Sequence, residues 1–195
     1  MSQKSVLISS LYLPLREFLL LVLEADVIYV DGDEIWEKQT LRNRSYILSA
    51  NGIQSLSVPV KHTGGIKVPI KEIQISYDQN WLRVHQGTIF SAYNTSAFFT
   101  YFKDDLFAIY DKKPSHLFDL NFQLLQFLLK KFKFKGKLEI YNQQKEVLDL
   151  RAYSQLDFLK ANAAKGEKYH QVFGYKFEFT KFLSCLDILA NSGKI

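Results

Sequence analysis

A single cysteine, Cys185, stands among the 195 residues. No internal disulfide can form, which fits a reducing compartment such as the cytoplasm. Leu183 and Leu186 flank it in an apolar helical pattern, so it reads as a small buried hydrophobe and not as an activated nucleophile. Long apolar runs are also missing. The most apolar window, residues 18–30, is interrupted by Glu24 and Asp26, whereas a membrane span takes about 20 nearly uncharged residues. It reads as a core helix followed by a strand. The opening Met1-Ser2-Gln3-Lys4 lacks the apolar stretch and cleavage site of a signal peptide.

Several catalytic fingerprints are absent too. The chain has no G-x-x-x-x-G-K-S/T, no G-x-G-x-x-G after a strand and no G-x-S-x-G, so phosphate-loop, dinucleotide and serine-hydrolase signatures are excluded. His62, His85, His116 and His170 have no zinc spacing to one another or to Cys185, which disfavours a metal enzyme. No cofactor motif and no oligomeric state can be read. There is no repeat, no low-complexity segment and no linker.

What is present is a mix of 47% hydrophobic and 23% charged residues, the composition of an ordinary globular domain. We read one domain over 1–195. The net charge of +5 is too small to demand nucleic acid, but favours phosphate-bearing ligands or an anionic membrane face. Lys130, Lys131, Lys133, Lys135 and Lys137 concentrate that charge. They read as a solvated helix end, or as a peripheral membrane contact beside Phe127, Phe132 and Phe134.

The expected elements begin with a strand at 6–9, a core helix at 15–24 opened by Pro14, and a strand at 27–30. Asn51-Gly52 between 44–48 and 54–60 is a strong hairpin signal. A strand at 68–75 should follow, then helices from Trp81, at 97–110 and at 115–131, the last capped by Ser115 and stopped by Gly136. A strand at 138–141, a helix at 154–164, an extended stretch at 169–179 and a helix at 182–189 complete the chain. This order predicts an α+β fold: an antiparallel sheet with an N-terminal hairpin, then a mostly helical C-terminal half.

Four groups carry candidate chemistry. Arg42-Asn43-Arg44 reads either as a phosphate or carboxylate clamp or as a strand start with ordinary ion pairs. Trp81 and His85 share one helical face, with Tyr93 two turns on; His85 is an acid or base near neutral pH, or a packed histidine. Asp26, Asp31, Asp33 and Glu34 surround a strand, as acid/base groups or solvated turn acids. Lys61 and His62 precede Thr63-Gly64-Gly65, an anion loop or a plain turn. Asn121 and Asp187 are polar residues on apolar helices, which burial would oblige to be hydrogen-bonded.

Read in order, Tyr12-Leu13-Pro14, Gln39-Thr40-Leu41-Arg42-Asn43-Arg44, Asn51-Gly52 with Ser57-Val58-Pro59-Val60, and Trp81-x-x-x-His85 with Tyr93 make the chain resemble the WbqC-like family. Phe98-Phe99-x-Tyr101, Leu120-Asn121, Asp149-Leu150-Arg151, Tyr169-x-Gln171 and Leu183-Ser184-x-Leu186-Asp187 extend the match to nearly the whole chain. Two departures stand out. The family's H-Q-P-x-Y opening is replaced by Ser9-Ser10-Leu11-Tyr12-Leu13-Pro14, and its G-F-x-x-N-L-S by Phe179-Thr180-Lys181-Phe182-Leu183-Ser184. The resemblance implies surface-polysaccharide (O-antigen-type) biosynthesis and transfer of glycine, another aminoacyl or an acyl group from a small-molecule donor to a sugar or nucleotide sugar. On that reading His85 is the base, and Arg42, Asn43, Arg44, Trp81, Tyr93 and Asn121 bind ligand. The competing reading is a non-catalytic binding or scaffold protein of the envelope machinery.

Overall fold

The computed structural model describes residues 4–62, 64–142, 146–162 and 167–194. In chain order its strands are β1 (Ser5–Ser9), β2 (Val27–Asp31), β3 (Arg44–Ser49), β4 (Gly52–Ser57), β5 (Lys137–Ile140) and β6 (Leu148–Asp149). Its α-helices are α1 (Arg16–Val22), α2 (Trp81–Tyr93), α3 (Lys103–Asp111), α4 (Leu117–Lys131), α5 (Leu156–Asn162) and α6 (Cys185–Ser192). The fold is mixed α/β.

The central sheet runs β5-β2-β1-β6 and is parallel throughout. This corrects the expected antiparallel sheet. All five residues of β2 are buried, and a strand covered on both faces shows an unbroken apolar run instead of alternation. The hairpin does form, with Arg44 opposite Ser57 and Ser49 opposite Gly52, but among the described residues β3 and β4 pair only with each other. Gly52 takes φ +99 at the turn, a backbone setting that costs glycine little.

Helix α1 buries Phe18, Leu19 and Val22 and packs on α6. The two meet where the Arg16 N–H donates to the Leu183 carbonyl (2.9 Å). Ser184 caps α6 by accepting from the Leu186 N–H (3.2 Å), and Gly193 closes it at φ +69, a left-handed C-terminal stop. Helix α4 buries Leu117, Leu120, Leu124, Leu125 and Leu128 on one face, with Asp119 in its first turn and Lys130 and Lys131 in its last, a charge order that suits the helix dipole.

Other elements differ from expectation. Residues 68–75 hold a 3-10 turn, Ile70–Glu72, and only isolated bridges such as Ile35 to Pro69 and Val60 to Ile75; Pro69 has no N–H to give a ladder. The helix expected at 97–110 splits into a 3-10 turn (Phe99–Tyr101) and α3, because Phe102 leaves the helical region at φ −140. His116, not Ser115, occupies the N-cap of α4. Helix α5 starts at Leu156 after a 3-10 turn, Arg151–Ser154; the expected end, Ala164, lies outside the described residues. Residues 169–179 form turns and no strand. Gly136 does not terminate α4, which ends at Lys131 with Lys133 at φ +57.

Candidate functional site

Helix α2 packs on β3 and turns Trp81, His85, Ile89, Ala92 and Tyr93 inward. Val84, on the same helix, is 62% exposed. The His85 Nδ1 and the Tyr12 hydroxyl are 2.8 Å apart, and the Tyr12 and Tyr110 hydroxyls 2.7 Å. Tyr12 comes from the loop after β1 and Tyr110 from α3, so three elements meet at one buried chain of polar atoms. Trp81 covers it, its ring edge-on to His85 at 5.0 Å and stacked on Tyr77 at 5.8 Å. The Trp81 Nε1–H donates to the Ser76 carbonyl (3.0 Å).

Burial sets the proton affinities here. Desolvation lowers the His85 pKa from 6.5 to about 4, with the Ser57 main chain acting the other way. Burial raises the Tyr12 hydroxyl well above its usual range, with the neighbouring Tyr110 adding to the rise. His85 is therefore neutral at pH 7. Above pH 6.5 the folded and unfolded chains hold the same neutral imidazole. Between 6.5 and about 4 the unfolded chain binds a proton that the folded chain refuses, so stability falls with pH. At ~1.4 kcal/mol per pKa unit the full loss is about 3 kcal/mol. The stability difference between wild type and His85→Gln, followed by chemical denaturation across pH 4–7, should show this slope.

His85 and Trp81 border a groove between β4 and α2. Two adjoining depressions, ≈ 520 and ≈ 630 Å³, share Gln54, Asn80, Val84 and Thr88. Asn51, Ser57, Gln79 and Ser91 continue this hydroxyl and amide lining, Arg83 adds a cation, and no carboxylate lines either half.

The other candidates go elsewhere. Arg44 donates from Nε to the Ser57 Oγ (3.2 Å), its register partner across the hairpin, and lines neither half of the groove. Arg42 is buried with Glu34, which it grips through both Nε and Nη2, and its Nη1 reaches Glu37 at 3.3 Å. Asn43 donates to the Val58 carbonyl (2.9 Å). Asn121 donates to the Ser10 Oγ (3.1 Å) and the Arg42 carbonyl (2.8 Å). Tyr93 is buried beside Asp187 with no aligned hydrogen bond of its own. Asp187 accepts from Tyr169 (2.7 Å) and Gln171 (3.0 Å), and burial raises its pKa. Of the candidates, His85 and Trp81 thus border the groove, while Arg42 and Asn121 meet elsewhere.

The acids around β2 are each engaged. Asp31 accepts from Arg151 (2.6 Å), Asp26 from the Lys4 N–H (2.8 Å), and Asp33 pairs with Lys71 at 2.5 Å. His62 accepts from the Gly64 N–H (2.9 Å) in an exposed turn; Thr63 lies outside the described residues. Lys131 pairs with Asp105, while Lys130, Lys133, Lys135 and Lys137 are exposed. Phe127 is buried, and Phe132 and Phe134 pack on the core. No group of metal-ligating side chains occurs among the described residues. No helix there is long and apolar enough to cross a membrane.

Sequence reasoning missed the partners of His85. Tyr12 lay inside a recognised segment, but nothing in it points to residue 85, and Tyr110 carried no signal beyond its aromatic neighbours.

Comparison with known proteins bears on these residues directly. An uncharacterised protein of Mycobacterium tuberculosis (strain ATCC 25618 / H37Rv) is 29% identical over 124 residues, 63% of this chain and 53% of that protein. The chain thus spans about half the length of the relative it matches. No solved structure gives a significant match. The family model described as the WbqC-like protein family matches residues 10–151, a span that contains Tyr12, the hairpin, all of α2 and Tyr110, and the chain belongs to that family.

Proposed function

We propose that the groove between β4 and α2 holds a sugar or nucleotide sugar, and that the chain transfers a small acyl or aminoacyl group to it in cytoplasmic surface-polysaccharide assembly. One observation carries this reading: a groove lined by neutral hydroxyl and amide side chains, with one arginine and no carboxylate, ends at a neutral histidine. Sugars present many hydroxyls, and amide and hydroxyl side chains both donate to and accept from them. Arg83 suits a phosphate on the carrier.

His85 is the base. In the tautomer that serves this role, Nδ1–H donates to the Tyr12 hydroxyl, which donates to Tyr110. The Nε2 lone pair then takes the acceptor's proton, in place of the ring's contact with the Ser57 main chain, as the acceptor's oxygen or nitrogen attacks the acyl carbonyl carbon. The oxyanion so formed collapses and expels the donor's leaving group.

A thermal-shift panel of nucleotide sugars, free sugars, acyl-CoA and aminoacyl-adenylate analogues tests the reading. A ligand at 100 times its dissociation constant adds ~2.7 kcal/mol. With the pair identified, His85→Ala should lose about a hundredfold or more in rate, with sugar binding within about threefold of wild type. A flat panel at millimolar concentration, or a His85→Ala protein at full rate, overturns it.

The second reading, a non-catalytic binding protein of the same machinery, is favoured by the inward-facing Arg42, Asn43, Tyr93 and Asn121. On that reading a sugar ligand still binds, and no donor ever does.

A further inference from the structure

The opposite face of the hairpin bears a second depression, ≈ 560 Å³, closed by α5 and by residues 179–182. Strand alternation puts Tyr46 and Ile53 on this face, away from Gln54 and Leu56, whose side chains face α2. Tyr46, Ile53, Leu156, Phe179 and Phe182 make the walls apolar. Ile53 is 58% exposed. The charged members of the lining are Lys160 and Lys181, both exposed. Neither pairs with an acid among the described residues, and no carboxylate lines the slot.

The wall is fastened from behind. Phe182 takes φ +57, a left-handed backbone that is a genuine outlier for a bulky side chain. Its N–H donates to Oε1 of Glu17 (3.2 Å), a carboxylate buried in α1. Gln171 grips Thr180 at both main-chain groups: its Nε2 donates to the Thr180 carbonyl and its Oε1 accepts from the Thr180 N–H, each at 2.9 Å. The Ser184 N–H donates to the Tyr46 carbonyl (2.6 Å). Single exposed apolar residues are ordinary. Here an apolar slot, two unpaired cations and a strained segment held by buried polar groups coincide, and strain of this kind clusters at ligand clamps.

We propose that this slot binds a single-chain anionic amphiphile, its chain against Ile53, Phe179 and Phe182 and its head group between Lys160 and Lys181. The charge of the lining selects the head and the apolar walls select the chain. This site is independent of the groove on the other side of the hairpin and stands whether or not the transferase reading holds.

Calorimetric titration with dodecyl phosphate below its micelle concentration tests it. Saturable binding is expected, at least tenfold tighter than for the neutral-headed dodecyl maltoside, with none for inorganic phosphate. Lys160→Ala/Lys181→Ala and Ile53→Asp should each weaken binding at least tenfold. Arg83→Ala, in the groove, should leave it unchanged. The substituted side chains of the slot are exposed, and an unchanged melting temperature checks that these variants fold. No saturable binding overturns the proposal. So does equal affinity for the neutral head, binding of inorganic phosphate alone, indifference to the slot variants, or loss of binding in Arg83→Ala.

Discussion

Arg42→Ala is expected to cost about 3–5 kcal/mol of stability. Arg42 is buried, and the Glu34 side chain it grips is only 14% exposed. Removing the guanidinium strands a carboxylate in a site that water barely reaches, and that uncompensated charge is the main loss. Glu37, more than half exposed, adds little. At 2–4 °C per kcal/mol for a chain of this size, the melting temperature should drop by roughly 10 °C. Arg42→Met with Glu34→Gln should recover most of the loss, because the pair is then removed together. Urea midpoints of the two singles and the double decide the matter. Non-additivity below about 0.5 kcal/mol would mean that the pair is not what holds the turn. Arg42→Lys should fall between, since an ammonium cannot reproduce the two-pronged grip.

Gly136→Ala should be at least as damaging, upward of about 3 kcal/mol. A Cβ there would lie 2.5 Å from the Asp26 carbonyl oxygen, 2.5 Å from the Phe134 ring and 2.8 Å from the Ala25 carbonyl oxygen. Two of the three obstacles are main chain and cannot swing aside. Relief requires moving β5 away from β2, which breaks the bond from the Lys137 N–H to the Asp26 carbonyl (2.8 Å) and the pairing of Val27 with Lys137. Gly87→Ala is the control. It sits inside α2 with nothing within 4 Å of the added carbon, so it should stabilise by about 0.5–1 kcal/mol. Equal melting temperatures for the two variants would refute the steric account.

The contrast shows what the sequence could tell. Gly136 announced itself as a helix stop, the common reason for a glycine after a lysine-rich turn. Its actual constraint is a neighbour 110 positions away, Asp26 just before β2, which no local pattern reports. The hairpin was legible because a turn and its two strands are adjacent in sequence. The parallel sheet was not, because each strand's signal is local while its partner is not. Helical spacing placed Trp81 and His85 on one face correctly. It could not supply Tyr12 and Tyr110, which reach His85 only through tertiary packing. Arg42 illustrates the reverse failure: two arginines around an amide look like a clamp for a ligand, and the acids that claim Arg42 lie in the preceding turn.

The strand order also sets a schedule for synthesis. β1 and β2 pair with each other early, being joined by one short helix, but β2 takes its outer neighbour from residue 137 onward and β1 from residue 148. A ribosome adding roughly 5–20 residues per second leaves this two-stranded ribbon with both edges open for on the order of ten seconds. During that interval its apolar faces and unpaired main-chain groups are a template for any passing strand. The nascent chain is therefore most exposed to misassociation before its last quarter emerges, and a chaperone that shields the first 31 residues should raise its yield more than one acting on the finished chain.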